Sequence, residues 1–424
     1  MKKILVILAM LVSMNVNAQW VQQFYSGEGR LNKIKFVDAN TGYVGGETNV
    51  SPRSIFLKTT NGGNNWINMN ISLSFETWIY DLSFINANTG YICGYSVNIY
   101  KTNNGGLNWS TIPLPYYSNQ TWNAMKFFDE NTGYVAGRYG MREKTTNGGL
   151  NWTVLDTAVT HINTIYFFDV NTGIMADASS GLYRTTNGGF NWSYKHQLDS
   201  SGSAYSFQSI SFANENTGYA IGTTYFKAVL VKTTNKGVDW SIVRTFQNEL
   251  LTVCALNNSA VYVGGSIPYL LYSSNGGLTW SNQNLPGTLT QPNSIEFINP
   301  NIGFTCGQIG SVCKTTNGGV WVNNISTETP TKYSLSQNYP NPFNPTTNIK
   351  FSIVNTGEVK LVVYDIMGKE VQTLVNERLQ PGTYEAAFDG SSLNSGVYFY
   401  KLIIRHGGSS TNTFSETKMM LLIK

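Results

Sequence analysis

Few side chains in this sequence are placed to do chemistry, and their spacing narrows what that chemistry could be. The three histidines, His161, His196 and His406, stand far apart. None falls in a His-Glu-x-x-His or Cys/His grouping, so a zinc site lacks its ligands, and neither a metal nor a cofactor is expected. No Gly-x-Ser-x-Gly elbow or phosphate-cradling glycine loop occurs. Glu76 and Asp81 flank Trp78 and Tyr80 and are the best-placed acidic pair for glycoside hydrolysis, which uses two carboxylates. A solvated loop charge beside strand-end packing accounts for the same two residues, and that is the preferred reading. Asp38, Asp129 and Asp169 each open an Asp-x-Asn-Thr-Gly segment. The segment begins like a calcium loop but lacks the third oxygen position and the distal Glu, so an Asx turn is expected. A basic column, Lys58, Lys101, Lys144, Arg184, Lys232 and Lys314, with Tyr272 at the remaining place, reads as an anion-binding ring or, preferably, as a solvated strand face.

The elements that position these residues come from a repeat. Thr59-Thr60-Asn61-Gly62-Gly63-Asn64-Asn65-Trp66 recurs with tryptophans at 109, 152, 192, 240, 280 and, one residue shortened, 321. Periods near 40–45 with several short strands per unit are those of four-stranded propeller blades. About twenty residues before each box stands an Asn-Thr-Gly-Tyr turn or a variant of it, preceded by a period-2 apolar pair such as Ile34/Phe36 or Met125/Phe127. The unit decodes as strand, Asn-Thr-Gly turn, strand, variable loop, strand, Asn-Gly-Gly turn and a fourth strand beginning near Trp. Seven units predict an all-β, seven-bladed propeller over residues 19–325, closed so that no blade edge is left open. Trp20 opens Trp20-Val21-Gln22-Gln23 without the rest of a unit, and reads as a fourth strand lent by the N-terminus to the last blade.

The box Thr/Ser-x-Asn-x-Gly-x-x-Trp, seen best in Ser273 to Trp280, resembles the Asp-box (BNR) repeat with Asn in place of Asp. The whole unit is similar to propellers of the photosystem II stability/assembly-factor type, over residues 20–325. That resemblance implies structural hairpins rather than chemistry. Asp-box propellers include sialidases, which use an arginine triad with a Tyr–Glu pair. Here the propeller arginines are few (Arg30, Arg53, Arg138, Arg142, Arg184 and Arg244), and the opening Arg-Ile-Pro element is absent. The turns between first and second and between third and fourth strands are nearly invariant, whereas the loops on the opposite face differ in every blade. Binding is expected on that variable face, where rigid scaffolds place it. The residues singled out there are Trp78, Tyr80, Tyr116, Tyr117 and Trp122, with a polar ring at the channel mouth of Asn32, Asn123, Asn163, Gln208 and Asn293.

The two ends supply the address. Lys2 and Lys3 precede an apolar run from Ile4 to Val12, and Val16-Asn17-Ala18 suits cleavage, so residues 1–18 read as a signal peptide. No other run is long enough to span a bilayer as a helix. After a linker at 326–336, residues 337–424 are expected to form a small antiparallel β-sandwich, Ig-like in outline. Tyr339-Pro340-Asn341-Pro342-Phe343-Asn344-Pro345, Val363 to Val371, Leu393 to Leu402 and Lys418 to Lys424 closely resemble the C-terminal sorting domain of type IX secretion cargo. The resemblance implies passage through the periplasm, handling by the type IX machinery, and an outer-membrane surface or extracellular destination. Charged residues are 12% of the chain and the net charge is +4, which points to no nucleic-acid partner. Cys306 and Cys313 lie across one hairpin, and both a bridge and two buried thiols fit the sequence. The reading as a whole is an exported, non-catalytic propeller binding an extracellular protein or glycan, with a sialidase-like glycoside hydrolase as the alternative.

Overall fold

A computed structural model describes residues 20–48, 50, 53–71, 73, 77–96, 98–114, 121–155, 161–179, 181–196, 205–224, 227–266, 269–283, 285–316, 318, 322–326, 328–390, 393–405 and 413–424. The expected signal peptide lies outside them, as do Glu76, Tyr116, Tyr117 and Trp321.

Alternating apolar residues and glycine-bearing turns produce, among the described residues, seven four-stranded antiparallel sheets followed by two more. We number the seven as blades in chain order. Their inner strands are Arg30–Phe36, Trp78–Phe84, Trp122–Phe127, Ile162–Phe167, Ser206–Phe212, Leu250–Ala255 and Pro292–Phe297. Each packs against the next, and the seventh against the first, so the array closes into a propeller. Closure is made by the N-terminus. Val21–Tyr25 pairs antiparallel with Ser311–Thr315 and supplies the fourth strand of blade 7. Trp20 is fully buried and meets Phe297 edge to face at 5.9 Å, as Trp66 meets Phe36 at 5.8 Å in blade 1. It therefore takes the place of a box tryptophan.

The repeated motifs hold blades to one another. In blade 1, Asp38 Oδ1 accepts the Asn40 and Thr41 amides, which is an Asx turn. In the box, Asn61 Oδ1 accepts the Asn65 amide, and Thr59 Oγ1 accepts that of Gly63. Gly62 and Gly63 sit at φ +67 and +72, and a Cβ on Gly63 would lie 2.2 Å from the Phe304 ring of blade 7, so both turn geometry and close approach require glycine. The tyrosine of the Asn-Thr-Gly-Tyr turn stacks on the inner-strand phenylalanine of the following blade: Tyr43 on Phe84 at 3.6 Å, Tyr91 on Phe127 at 3.5 Å. Its hydroxyl reaches that blade's Asx turn, donating to Ala87 O from Tyr43, to Val170 O from Tyr134 and to Asn258 O from Tyr219, and Tyr134 also reaches Gly188 O in the box turn.

The last blade ends earlier than the sequence indicated. Val322–Ser326, read as the propeller's end, hydrogen-bonds to Gly382–Asp389 in the C-terminal module, and Ser334–Leu335 within the expected linker is a strand there. Because Val21–Tyr25 fills the fourth position of blade 7, the chain after the damaged box is released to start the next domain. That domain is a sandwich of two four-stranded sheets around one core, with Ile349, Phe351 and Ile353 facing Leu361, Val363, Leu402 and Ile404. The proline segment is laced to the last strand through the Phe343 amide on Leu421 O and the Ile423 amide on Phe343 O.

Nine of the ten tryptophans, Trp20 to Trp280, lie in the propeller, so their fluorescence reports chiefly on that domain. Replacing Tyr134 by Phe removes one hydroxyl shared between two carbonyls of the next blade, and should lower propeller stability by about 1–2 kcal/mol in a fluorescence-monitored denaturation. An unchanged midpoint would show that the hook contributes nothing.

Candidate functional site

The inner edge of each blade faces the channel with backbone groups that no further strand pairs. Side chains of the preceding blade satisfy them. Asp81 Oδ2 accepts the Met125 amide at 2.9 Å, Ser83 Oγ that of Phe127 at 3.0 Å, Ser209 Oγ that of Val253 at 3.2 Å and Ser211 Oγ that of Ala255 at 3.0 Å. Every inner strand also carries a β-bulge at the same place, and the residue spanned is Asn32, Tyr80, Asn123, Asn163, Gln208, Leu251 or Asn293. A bulge re-aims its side chain, and here it turns the amides toward the neighbouring blade. Asn32 Nδ2 donates to Ile79 O, Asn123 to Ile162 O, Asn163 to Phe207 O and Asn293 to Leu31 O, all at 2.8–2.9 Å. Gln208 donates within its own strand, to Ser206 Oγ. Four of the five members of the polar ring expected to meet a ligand, Asn32, Asn123, Asn163 and Asn293, thus serve as interblade clamps.

Other expectations are corrected in the same way. Trp122 is 1% exposed and packs with Tyr91, Met125 and Met141, so it serves packing rather than contact. The basic column is not a solvated face. Lys58 Nζ donates to Gly105 O at 2.9 Å, Arg184 Nε to Lys236 O at 3.1 Å and Lys314 Nζ to Gly62 O at 2.7 Å, each in the next blade round the ring. Lys58, Lys101, Lys144 and Lys232 also lie over the tyrosines of their own blades, and burial holds Lys58, Lys144, Lys232 and Lys314 below the usual lysine range. Cys306 and Cys313 are free thiols. The register pairs Cys306 with Val312 and Cys313 with Thr305, which puts them on opposite faces of the sheet.

The channel is a cavity of about 730 Å³ lined by all seven inner strands. Its carboxylates are both engaged by lysines: Lys33 reaches Asp81 at 3.3 Å and Lys35 reaches Glu296 at 2.6 Å. The Asp81 carboxylate holds the Lys33 ammonium above its ordinary value against the opposing effect of burial. Among the described residues no group of three His, Cys, Asp or Glu could hold a metal ion.

The exposed side chains of the variable face include Tyr25 and Val50 near blade 1 and, in paired contacts, those at the mouth of blades 2–4. Trp78 is half-buried and packs at 5.3 Å against Tyr95, which is 47% exposed. Tyr139 is 66% exposed at φ +58, an unusual backbone region for a bulky residue. Its amide donates to His161 Nδ1 at 2.9 Å, and its ring meets the His161 ring edge-on at 5.3 Å. Tyr80 is half-buried beside Glu47, Arg138 and Arg30. Burial and the Glu47 charge push its phenol up to about 12, the two arginines opposing them. Sequence reasoning missed the Tyr139–His161 pair, which joins a loop of blade 3 to the start of blade 4. The opposite face also exposes apolar side chains, Leu107, Leu150, Phe190, Val238 and Leu278, but one per blade at the box tips, and singly scattered apolar residues need no ligand.

Two families match this chain. Residues 337–414 match the secretion system C-terminal sorting domain, and residues 68–159 and 154–250 match the photosynthesis system II assembly factor YCF48. The propeller is thus similar to the YCF48 family over blades 2–5, and the C-terminal module to secretion sorting domains. Among solved structures, YCF48 bound to D1 peptide aligns at 19% identity and TM-score 0.58, covering 70% of this chain and 97% of that one. YCF48 from Cyanidioschyzon merolae aligns at 18% and 0.56, covering 70% and 98%. The GH74 enzyme of Niastella koreensis aligns at 15% and 0.55, covering 79% of this chain and 59% of that one. At such identities these likenesses show the fold alone. No curated protein matches. The sorting domain supports export of this YCF48-like propeller to the outer-membrane surface or the extracellular space.

Among the buried polar groups of the propeller, a carboxylate stands without compensation among the described residues. Glu143 occupies the column position of Leu57 and Tyr100, is 0% exposed, and neither carboxylate oxygen has a partner among the described residues. Burial pushes its carboxyl up to about 7 from 4.5. Because the folded state holds the proton to higher pH than the unfolded state, stability should fall as pH rises from about 4.5 to about 7 and stay low above that. The loss is of order 3 kcal/mol. Glu143→Gln should flatten this profile and melt higher than the parent at pH 8, with the two close to equal at pH 4.5. Parallel melting curves at both pH values would contradict it.

Proposed function

We propose that the protein is a non-catalytic binding module, delivered outside the cell by its sorting domain, that holds an extracellular protein or glycan at the variable mouth of blades 2–4. The observation that carries this reading is a division of labour between faces. The repeated residues are engaged in turns and interblade clamps, whereas Trp78 with Tyr95 and Tyr139 with His161 form two non-repeated aromatic pairs on adjacent blades, with Tyr80 within electrostatic reach of both Tyr95 and Arg138. Aromatic surface held on a rigid scaffold, with a guanidinium at its edge, suits recognition. Tyr116 and Tyr117 belong to the same face by sequence and remain part of the proposed surface. The strained Tyr139 backbone, held by His161, presents the ring outward, which lowers the ordering cost of binding.

Glycoside hydrolysis is the second reading, and the Tyr80–Glu47–Arg30–Arg138 neighbourhood is what favours it. A tyrosine nucleophile of the sialidase kind needs its phenol activated by a carboxylate. Here no hydrogen bond joins Tyr80 to Glu47, and the phenol is shifted away from ionisation. The channel carboxylates Asp81 and Glu296 are held by lysines, which leaves no free acid–base pair there.

On a glycan array and in a surface-proteome capture, the full chain should retain a defined ligand class that the Trp78→Ala/Tyr139→Ala double variant loses by tenfold or more. Leu150→Ala, on the opposite face, should bind as the parent does. Turnover of fluorogenic glycosides abolished by Glu47→Gln would replace the binding reading with the hydrolase one.

A further inference from the structure

The channel wall is chemically lopsided. Its charged lining residues are Lys33, Lys35, Lys126, Asp81 and Glu296, three cations against two anions. Two of the cations are paired, Lys33 with Asp81 and Lys35 with Glu296. Lys126 is not. Its ammonium lies 5.7 Å from the Phe128 ring and has no carboxylate within ion-pair distance among the described residues. Burial holds it below the usual lysine range; the neighbouring Lys35 and Lys33 charges act in the same direction, and the more distant Asp81 and Glu296 carboxylates oppose them without overcoming them. A partly buried cation with no direct ion-pair partner is costly unless something answers it.

Position explains what could answer it. Lys35, Ser83 and Lys126 stand at the same level of the inner strands of blades 1, 2 and 3, with Ser83 between the two lysines. Ser83 Oγ already accepts the Phe127 amide at 3.0 Å, while its own proton has no acceptor among the described residues. A hydroxyl donor on the strand between two lysine-bearing strands, in a confined polar cavity, is an arrangement for a group that only accepts hydrogen bonds. Apolar ligands find a polar lining here, and cations meet an excess of positive charge.

We propose that the channel binds an oxyanion, a carboxylate or phosphate group, over Ser83 between the Lys126 and Lys35 ammonium groups. The site is independent of the aromatic mouth. It lies at the Asx-turn end of the inner strands, and the cavity admits a small free anion or the acidic end of a larger molecule.

Isothermal titration of the full chain at low ionic strength, with sodium phosphate in one arm and sodium acetate and glucuronate in the other, tests this. Saturable binding in either arm supports the site, and the arm that binds tells phosphate from carboxylate. Lys126→Gln should weaken that binding at least tenfold and Lys126→Arg should restore most of it, while the exposed Lys350→Gln leaves it unchanged. Without added anion, Lys126→Gln should melt no lower than the parent, since it removes a repulsion, which separates lost binding from lost folding. No saturable binding in either arm, or equal affinity in Lys126→Gln, overturns the proposal.

Discussion

The pairing of Val21–Tyr25 with Ser311–Thr315 is the contact on which the propeller depends. A ring of sheets has no end to cap, so the same chain must meet itself, and here it meets through backbone hydrogen bonds between residues nearly 300 positions apart. Trp20 fixes the join by filling the seat that a box tryptophan fills elsewhere, between Phe297 and Tyr262. A buried tryptophan of this kind commonly contributes about 3–5 kcal/mol. The join also frees the chain after blade 7 to begin the sorting domain, so closure and domain order share one cause.

Once the ring is closed, the repeat sequence has a single physical logic. Each blade must bury two faces and satisfy one channel-facing edge, and it does so with its neighbour's residues. Tyrosine hydroxyls and lysine ammonium groups reach the next blade's turn carbonyls, bulged asparagines reach its inner-strand carbonyls, and Ser or Asp oxygens receive its amides. Residues that repeat are therefore committed to holding the ring. Function is left to positions where the pattern breaks: the aromatic mouth, and a channel wall on which Lys33 and Asp81 stand where blades 4 to 7 carry Thr or Ser, and Lys35 and Lys126 stand level with Tyr166, Ser211, Cys254 and Glu296.

The turns, the strand order and the latch were legible because their chemistry is local: Asx turns, paired glycines, and a box tryptophan stranded at the N-terminus. The roles of the polar ring and the basic column were not. A bulge leaves no mark on an alternating sequence, and whether Asn32 or Lys58 faces water or a neighbouring blade depends on how sheets stack. Trp122 was misplaced although a signal existed. Aligned with Leu31, Ile79, Ile162, Phe207 and Leu250, it stands in an apolar column that packs between blades. The Tyr139–His161 contact joins two blades through loops with no shared pattern, and Val322–Ser326 is too short a strand to announce which domain it joins.

Native-state hydrogen exchange of the full chain beside its Trp20→Ala variant tests the central claim most directly. The account predicts faster exchange in Ser311–Thr315 and in the facing strands of blades 1 and 6, with blades 3 and 4 holding their protection. Unchanged protection at Ser311–Thr315 in the variant would contradict the claim that the N-terminal strand and its tryptophan close the ring.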